Sequence, residues 1–306
     1  MSRPRIVVSK EVPMDKAQFQ NPWIPYLLLA PQMLIIAIFF FWPAAEAIRA
    51  SFYLEDPFFG NATFVGLQNY ADAFAASDYQ RTAWFTVVFT VMVSLISLAL
   101  GLMLAVSADR VLRGQSSYKT LLMWVYAIAP PVAGLIGVMM FDQHIGPIVD
   151  FVAIFGWDMR VGVNYWDTGI AMILVSTWKQ VPYCFIFFLS GLQSIPNSVK
   201  EASAIDCRSE TRRFWTITFP LLAPTTFFLL ILNITYAMFE TFGTIDQIVK
   251  DQPGNSPVTL VYKVFRDGFR GNDIGGSSAQ SVILMVFVLL LTIAQFRLIE
   301  RRIHYT

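Results

Sequence analysis

Long apolar runs separated by short polar segments are the main pattern of the chain. Six runs approach the roughly 20 residues that a helix needs to cross a bilayer, and they cover about 24–43, 84–106, 120–141, 169–192, 221–242 and 279–298. Backbone amides within hydrocarbon must be paired inside their own segment, so the runs predict helices rather than strands. The expected fold is an all-α membrane protein with six transmembrane helices. It would have a polar tail at 1–22, a transmembrane domain at 23–300 and a short tail at 301–306.

The composition supports a membrane location and excludes several other classes. Of the 306 residues, 56% are hydrophobic and only 14% are charged, whereas soluble domains carry about 25% charged residues. A net charge of +1 gives no general attraction to nucleic acid. The two cysteines and the two histidines are too dispersed for a metal site. We therefore predict no metal, no cofactor and no disulfide in this chain.

The distribution of basic residues predicts how the helices are oriented. With a cytoplasmic N-terminus, Lys and Arg are roughly twice as frequent in the inner segments as in the outer ones. Both termini are therefore expected in the cytoplasm. The first run is about 19 residues long, which exceeds the roughly 7–15 residues of a signal-peptide core. It is expected to remain as an uncleaved first helix.

Small residues and prolines within the runs predict how the helices pack. Ser97, Gly101 and Ala105 recur at intervals of four, which lets two membrane helices approach closely. Several prolines lie within or at the ends of helices, where each removes a backbone donor and can kink the helix. We expect ordinary packing kinks at most of them and a broken helix lining a path at Pro182. The full set is Pro31, Pro130, Pro131, Pro182 and Pro224.

The polar segment 193–220, between the fourth and fifth runs, has the features of a docking loop. Such a loop must leave the membrane, present a short helix to a soluble partner and return. The residues at 201–205 favour a helix, in which alanines keep the surface flat and Glu201 offers a carboxylate to a basic partner residue. Phe219 and Pro220 then close the loop where the fifth helix begins.

This segment resembles the cytoplasmic loop with which bacterial ABC importer permeases bind their ATPase. The family pattern is Glu-Ala-Ala, three residues, Gly, nine residues, Ile, one residue, Leu-Pro. The resemblance implies that the ATPase-coupling residues are Glu201, Ala202, Asp206, Cys207, Phe214, Ile217 and Pro220. Three positions depart from the pattern: Ser203 replaces Ala, Cys207 replaces Gly and Phe219 replaces Leu.

Cys207 is the departure that matters most. Glycine adopts positive φ freely, whereas other residues are strained there by roughly 1–2 kcal/mol. The turn at Cys207 therefore either avoids that conformation or carries strain.

The resemblance extends over nearly the whole chain. It is to the sugar-importer class of these permeases, and within that class most strongly to the glycerol-phosphate subgroup. The stretches that carry it are 23–28, 64–70, 126–130, 178–180, 192–196, 262–269 and 278–282. The implied solute is sn-glycerol-3-phosphate or a glycerophosphodiester, with a sugar or polyol as the alternative.

The resemblance also implies an assembly in the bacterial inner membrane. A second, homologous permease subunit would pair with this chain in the lipid bilayer. An ATPase dimer would bind below and hold ATP and Mg²⁺, and a periplasmic or extracellular solute-binding protein would deliver the solute. This chain would then supply half of the translocation pathway and no catalytic residue.

Lys179, with Gln180 beside it, lies near the middle of the fourth predicted helix. A lysine at the bilayer centre costs on the order of 2.5–3.5 kcal/mol on insertion scales, so it is expected to face the bundle interior or a water-filled cavity. Two interpretations remain open. In the first, the ammonium contacts a solute phosphate. In the second, its role is structural: it pairs with a carboxylate or a helix end, or the side chain snorkels toward the membrane surface.

The fifth predicted helix carries a polar stripe. Thr226, Asn233, Tyr236 and Glu240 share one face, which should point away from lipid. The stripe either lines the translocation cavity or forms hydrogen bonds across the contact between permeases. Glu240 would repel a phosphate, which favours a gate or a pair with Lys179 over direct solute binding.

Two other functional classes are weaker. An ion-coupled secondary transporter would favour inverted repeats and interrupted helices at matching positions, and we see no repeat. An intramembrane enzyme would need a nucleophile with its base, or metal ligands, at membrane depth. The sequence has no HExxH, GxSxG or P-loop motif, so ATP hydrolysis is expected from a partner.

Overall fold

The computed structural model describes residues 23–55, 62–109, 115–207, 209–250 and 256–300, so both predicted tails lie outside the described residues. The first elements are α1 Trp23–Ile36, α2 Trp42–Ala50, β1 Tyr53–Glu55, β2 Ala62–Phe64, α3 Gln68–Ala75, α4 Ser77–Asp109, α5 Gln115–Ala127 and α6 Pro130–Met140. They are followed by α7 Pro147–Ala153, α8 Tyr165–Ser194, α9 Asn197–Asp206, α10 Glu210–Arg213, α11 Phe219–Leu221, α12 Ala223–Thr235, α13 Phe242–Val249, α14 Leu260–Phe265 and α15 Ile274–Glu300. π-Helical turns occupy Ala37–Phe41, Phe214–Thr218, Tyr236–Glu240 and Arg266–Arg270.

The described residues contain five helical stretches that are long and apolar enough to cross a membrane, and the bent pair α5–α6 would make a sixth. The five are Trp23–Ala50, Ser77–Asp109, Tyr165–Ser194, Ala223–Glu240 and Ile274–Arg297. Each falls on one of the predicted apolar runs. The prediction of an all-α membrane protein is therefore confirmed, apart from one small sheet.

That sheet was not predicted. β1 and β2 pair antiparallel, with Tyr53 opposite Phe64 and their rings 5.5 Å apart. The side-chain amide of Asn69 donates hydrogen bonds to the carbonyls of Ser51 and Tyr53, at 2.9 and 3.0 Å. The sheet is thereby tied to the start of α3.

The third predicted run, 120–141, is two helices rather than one. α5 and α6 meet at an angle of 98°. Ala129 precedes two successive prolines and has an extended backbone, with φ −61° and ψ 142°, as a residue before proline prefers. The carbonyl of Pro130 accepts a hydrogen bond from the Thr244 hydroxyl at 2.9 Å. The break lies here and not at Pro182, which sits inside the continuous helix α8. The prediction for these prolines was therefore wrong in both places.

The small-residue stripe on α4 packs as predicted. α4 and α8 run parallel, with Phe85 near Gly169 at one end and Gly101 near Cys184 at the other. A Cβ atom on Gly101 would overlap the side chain and backbone at Cys184, so the two helix backbones meet there. Ser97 and Ala105 are also fully buried, at 0% exposure. α4 and α8 are therefore closely packed along this stripe.

An ion network lies at the N-terminal end of α4. The Lys263 ammonium lies 2.6 Å from the Asp78 carboxylate and 2.8 Å from that of Asp267. Gln280 on α15 donates to Asp267 at 3.1 Å. The network therefore connects α14 to the start of α4 and to α15.

Candidate functional site

The polar segment 193–220 folds against the ends of α4 and α8. α9 begins directly after Ile195 and Pro196, and Ile195 is buried. The Lys200 ammonium lies 3.6 Å from the carboxylate of Asp109, the last residue of α4. The buried Ser203 hydroxyl donates to the Lys200 carbonyl at 2.7 Å. α9 is therefore attached to the ends of both long helices.

The outward face of α9 has the properties of a contact surface. Glu201, Ala202 and Ala204 are exposed, and the apolar side chain of Ile205 is 86% exposed. The Glu201 carboxylate makes no hydrogen bond or ion pair with any other residue that the structure describes. Ala202 and Ile217 both line an open groove of about 310 Å³. Two motif positions that are distant in sequence thus share one surface.

The turn after α9 settles the question raised by Cys207. Its backbone is extended, with φ −125° and ψ 105°, and its N–H donates to the Ser203 carbonyl at 3.0 Å. This conformation is open to any residue, so the turn avoids positive φ and carries no strain at this position. The preceding residue, Asp206, is the last of α9.

Aromatic side chains pack against one another in residues 214–219, where the polar segment leads back to the predicted fifth membrane helix. Phe214 and Trp215 have ring centroids 5.2 Å apart, and Trp215 and Phe219 are 5.1 Å apart. Pro220 is the second residue of α11, which continues directly from the π-helical turn Phe214–Thr218. These residues hold the segment between α10 and α12.

Lys179 is buried in the middle of α8, with only 7% of its surface exposed. Its ammonium lies 5.2 Å from the centroid of the Tyr126 ring. It forms no hydrogen bond and no ion pair with another residue in the described part of the chain. A buried charge without a hydrogen-bonded partner is strongly destabilising. Among the described residues, the ammonium thus has a cation–π neighbour but no hydrogen-bonded partner.

Asn233 and Tyr236 are engaged within the chain. The Asn233 amide donates to the Leu229 carbonyl at 2.7 Å and lies 3.2 Å from the Cys184 sulfur. The Tyr236 hydroxyl donates to the Ser176 carbonyl at 3.1 Å. Both side chains connect α8 to the helix carrying Glu240, which favours a packing role over solute contact.

The remaining members of the predicted path differ in exposure. Gln180 is buried, at 3% exposure. Glu240 is exposed, and among the described residues its carboxylate has no hydrogen bond or ion pair. It nevertheless lies close enough to Lys179 to attract its ammonium electrostatically. The structure thus brings Lys179 and Glu240 into electrostatic range without joining them.

An aromatic row beside Lys179 was missed at the sequence level. The ring centroids of neighbouring members are 5.5 Å apart for Tyr126 and Tyr183, 4.7 Å for Tyr183 and Phe187, and 5.6 Å for Phe187 and Phe228. Lys179, Tyr183 and Phe187 are spaced by four and so share one face of α8. That spacing was visible in the sequence. The contribution of Tyr126 was not, because it depends on the bend between α5 and α6.

Comparison with known proteins gives a family match. Residues 97–305 match the model of a family described as binding-protein-dependent transport system inner membrane component. The sn-glycerol-3-phosphate transport system permease protein UgpA of Rhizobium meliloti (strain 1021) is 46% identical over 294 residues, which is 95% of this chain and 100% of that protein. The protein of the same name from Brucella suis biovar 1 (strain 1330) is 47% identical over 295 residues, covering 96% and 100%.

Solved structures share the fold. A bacterial ABC transporter that imports the acidic polysaccharide alginate matches with a TM-score of 0.79 and 17% identity, covering 92% of this chain and 96% of that chain. The same kind of transporter, in complex with a periplasmic protein bound to an alginate pentasaccharide, matches with a TM-score of 0.76 and 17% identity, covering 89% and 92%. At this identity the likeness concerns the fold alone.

Proposed function

The chain belongs to the family of binding-protein-dependent transport system inner membrane components, and from this membership we propose that it forms half of the pathway of an ATP-driven importer for sn-glycerol-3-phosphate or glycerophosphodiesters. It is a multi-pass inner-membrane transport subunit rather than an enzyme, and its fold is that of ABC importer permeases. The resemblance to ABC importer permeases of the glycerol-phosphate subgroup is thereby confirmed.

The observation that carries the proposed solute is the buried ammonium of Lys179, which forms no hydrogen bond and no ion pair with any residue that the structure describes. A phosphate group would satisfy it with charge-assisted hydrogen bonds, which are the strong kind. The neighbouring faces of Tyr126 and Tyr183 would pack against the carbon backbone of a glycerol phosphate. The names of the relatives, which are permeases of sn-glycerol-3-phosphate systems, agree with this solute. A neutral sugar would itself supply no negative charge to the lysine.

We propose α9 as the element that couples this subunit to the ATPase. Its exposed carboxylate, flat alanine surface and exposed Ile205 suit insertion into a cleft of a soluble partner. Its attachment to α4 and α8 would carry the partner's motion into the membrane domain. Rigid-body movement of this kind is a common basis of alternating states.

The remaining partners and the orientation follow the same proposal. A second, homologous permease would complete the pathway, a dimer of ATPase subunits would bind ATP and Mg²⁺, and a solute-binding protein would deliver the solute on the opposite side. α9 faces the cytoplasm in this arrangement, as do both termini. This orientation agrees with the excess of basic residues in the inner segments.

The solute can be tested with the complete importer reconstituted in proteoliposomes. Its binding protein is supplied with sn-glycerol-3-phosphate, a glycerophosphodiester or a neutral disaccharide. We expect the two phosphates to stimulate ATP hydrolysis at least about fivefold and the disaccharide to have no effect. Stimulation by the disaccharide alone would instead support a sugar importer and would remove the proposed role of Lys179.

A further inference from the structure

Lys179 and Glu240 lie on two helices that pack side by side in opposite directions. The hydrogen bond from Tyr236 to the Ser176 carbonyl, 3.1 Å long, sets their register. At a rise of 1.5 Å per residue, this bond places Glu240 roughly 10 Å along the axis from Lys179, and the contact of Asn233 with Cys184 places it roughly 3 Å away, in both cases toward the N-terminal end of α8. The two residues are therefore offset along the axis by at most about two helical turns.

The side chains approach each other across this interval. In an α-helix every Cα–Cβ bond tilts toward the helix N-terminus. Because the two helices are antiparallel, Lys179 tilts toward Glu240 and Glu240 tilts toward Lys179. The Glu240 carboxylate attracts the Lys179 ammonium, although the two groups form no ion pair within 4.0 Å.

Two tyrosines lie beside the same pair of charges. The Tyr126 ring is 5.2 Å from the Lys179 ammonium and stacks on Tyr183 at 5.5 Å. The field of Glu240 also reaches Tyr183. A solute group resting on these rings would meet the ammonium and would feel the carboxylate. Only a group with negative charge could replace Glu240 as the counter-charge of the lysine.

We propose that Glu240 is the counter-charge of Lys179 when the site is empty, and that the anionic group of the solute displaces it. Glu240 is then a specificity-determining residue, because a neutral solute cannot compete for the ammonium. The same carboxylate repels the bound anion and speeds its release. This inference rests on the proposed function, since it assumes that an anion is carried past Lys179.

The first test compares Glu240→Gln with the unchanged importer in proteoliposomes, using sn-glycerol-3-phosphate with saturating binding protein. Loss of the competing charge is expected to lower KM roughly tenfold and to lower kcat with it, which leaves kcat/KM within about threefold. Glu240→Asp should retain both values. In a Lys179→Met background, Glu240→Gln should change KM by less than about twofold. An unchanged KM with Lys179 present, or an equal change in both backgrounds, would overturn the proposal.

The second test needs no transport. Lys179→Cys is made in the complete importer with Cys184→Ala and Cys207→Ser, and its reaction rates with an anionic and a cationic methanethiosulfonate are compared. Glu240→Gln is expected to raise the anionic-to-cationic rate ratio at least about fivefold, because it removes a negative charge facing the same space. An unchanged ratio would show that Glu240 does not face position 179. This result would stand even if sn-glycerol-3-phosphate proved not to be the solute.

Discussion

Lys179→Met is expected to lower the kcat/KM of solute uptake roughly ten- to a hundredfold, while the complex still assembles. Hydrogen bonds to charged groups contribute about 1.5–3 kcal/mol, which corresponds to this range. Thermal stability should stay the same or rise, because methionine removes a buried charge that forms no hydrogen bond and no ion pair with any described residue. The measurement is uptake in proteoliposomes alongside the melting temperature of the purified complex.

The combination of the two readouts makes this prediction specific. If Lys179 only supported packing, the variant would lose stability along with activity. Lys179→Arg serves as the matched control, since it keeps the positive charge and should retain more uptake than methionine. Normal uptake by the methionine variant would remove Lys179 from the path of the solute.

Glu201→Lys is expected to abolish most solute-stimulated ATP hydrolysis and to weaken binding of the ATPase about a hundredfold or more. The new ammonium would face the basic partner residue that we expect opposite Glu201, and like charges brought together at an interface cost several kcal/mol. The permease should still fold and insert, since Glu201 is exposed and has no ionic partner within the described residues. Co-purification of the ATPase with the membrane subunits measures the effect.

Asn197→Lys provides the matched control for this substitution. Asn197 is exposed and lies on the same helix as Glu201, at its first residue. It adds a charge of the same sign but replaces no carboxylate. We expect it to reduce ATPase binding by less than about fivefold. If both variants weakened binding equally, the effect would reflect the general charge of α9 and not a contact made by Glu201.

The transmembrane helices could be predicted from the sequence because hydropathy reports which residues contact hydrocarbon. It does not report where a helix ends. α4 was predicted over 84–106 but extends over Ser77–Asp109. Its first turn carries the charged residue Asp78, which contacts Lys263 and Arg266 beyond the apolar window. Such tertiary contacts prolong a helix without leaving an apolar signal.

The prolines were misjudged because each was weighed singly. Pro182 removes one backbone donor, and α8 continues through it. Pro130 and Pro131 remove two successive donors and force Ala129 into an extended backbone. Two adjacent prolines thus break a membrane helix where one does not.

The candidate site was only partly predictable. Lys179 was identified because a charge in an apolar run is costly wherever it points. Asn233 and Tyr236 were grouped with Glu240 because they share a helix face, but their hydrogen-bond partners Cys184 and Ser176 lie on another helix. Sequence periodicity identifies a polar face without revealing which of its groups are already satisfied.

The most direct test of the coupling role asks which side of the membrane α9 occupies. Ile205→Cys, in a background of Cys184→Ala and Cys207→Ser, places a thiol at a position that is 86% exposed in this chain. A membrane-impermeant maleimide should label it in inside-out vesicles, and labelling should slow at least about fivefold when the ATPase is bound. Labelling in right-side-out vesicles, with none in inside-out vesicles, would contradict the account.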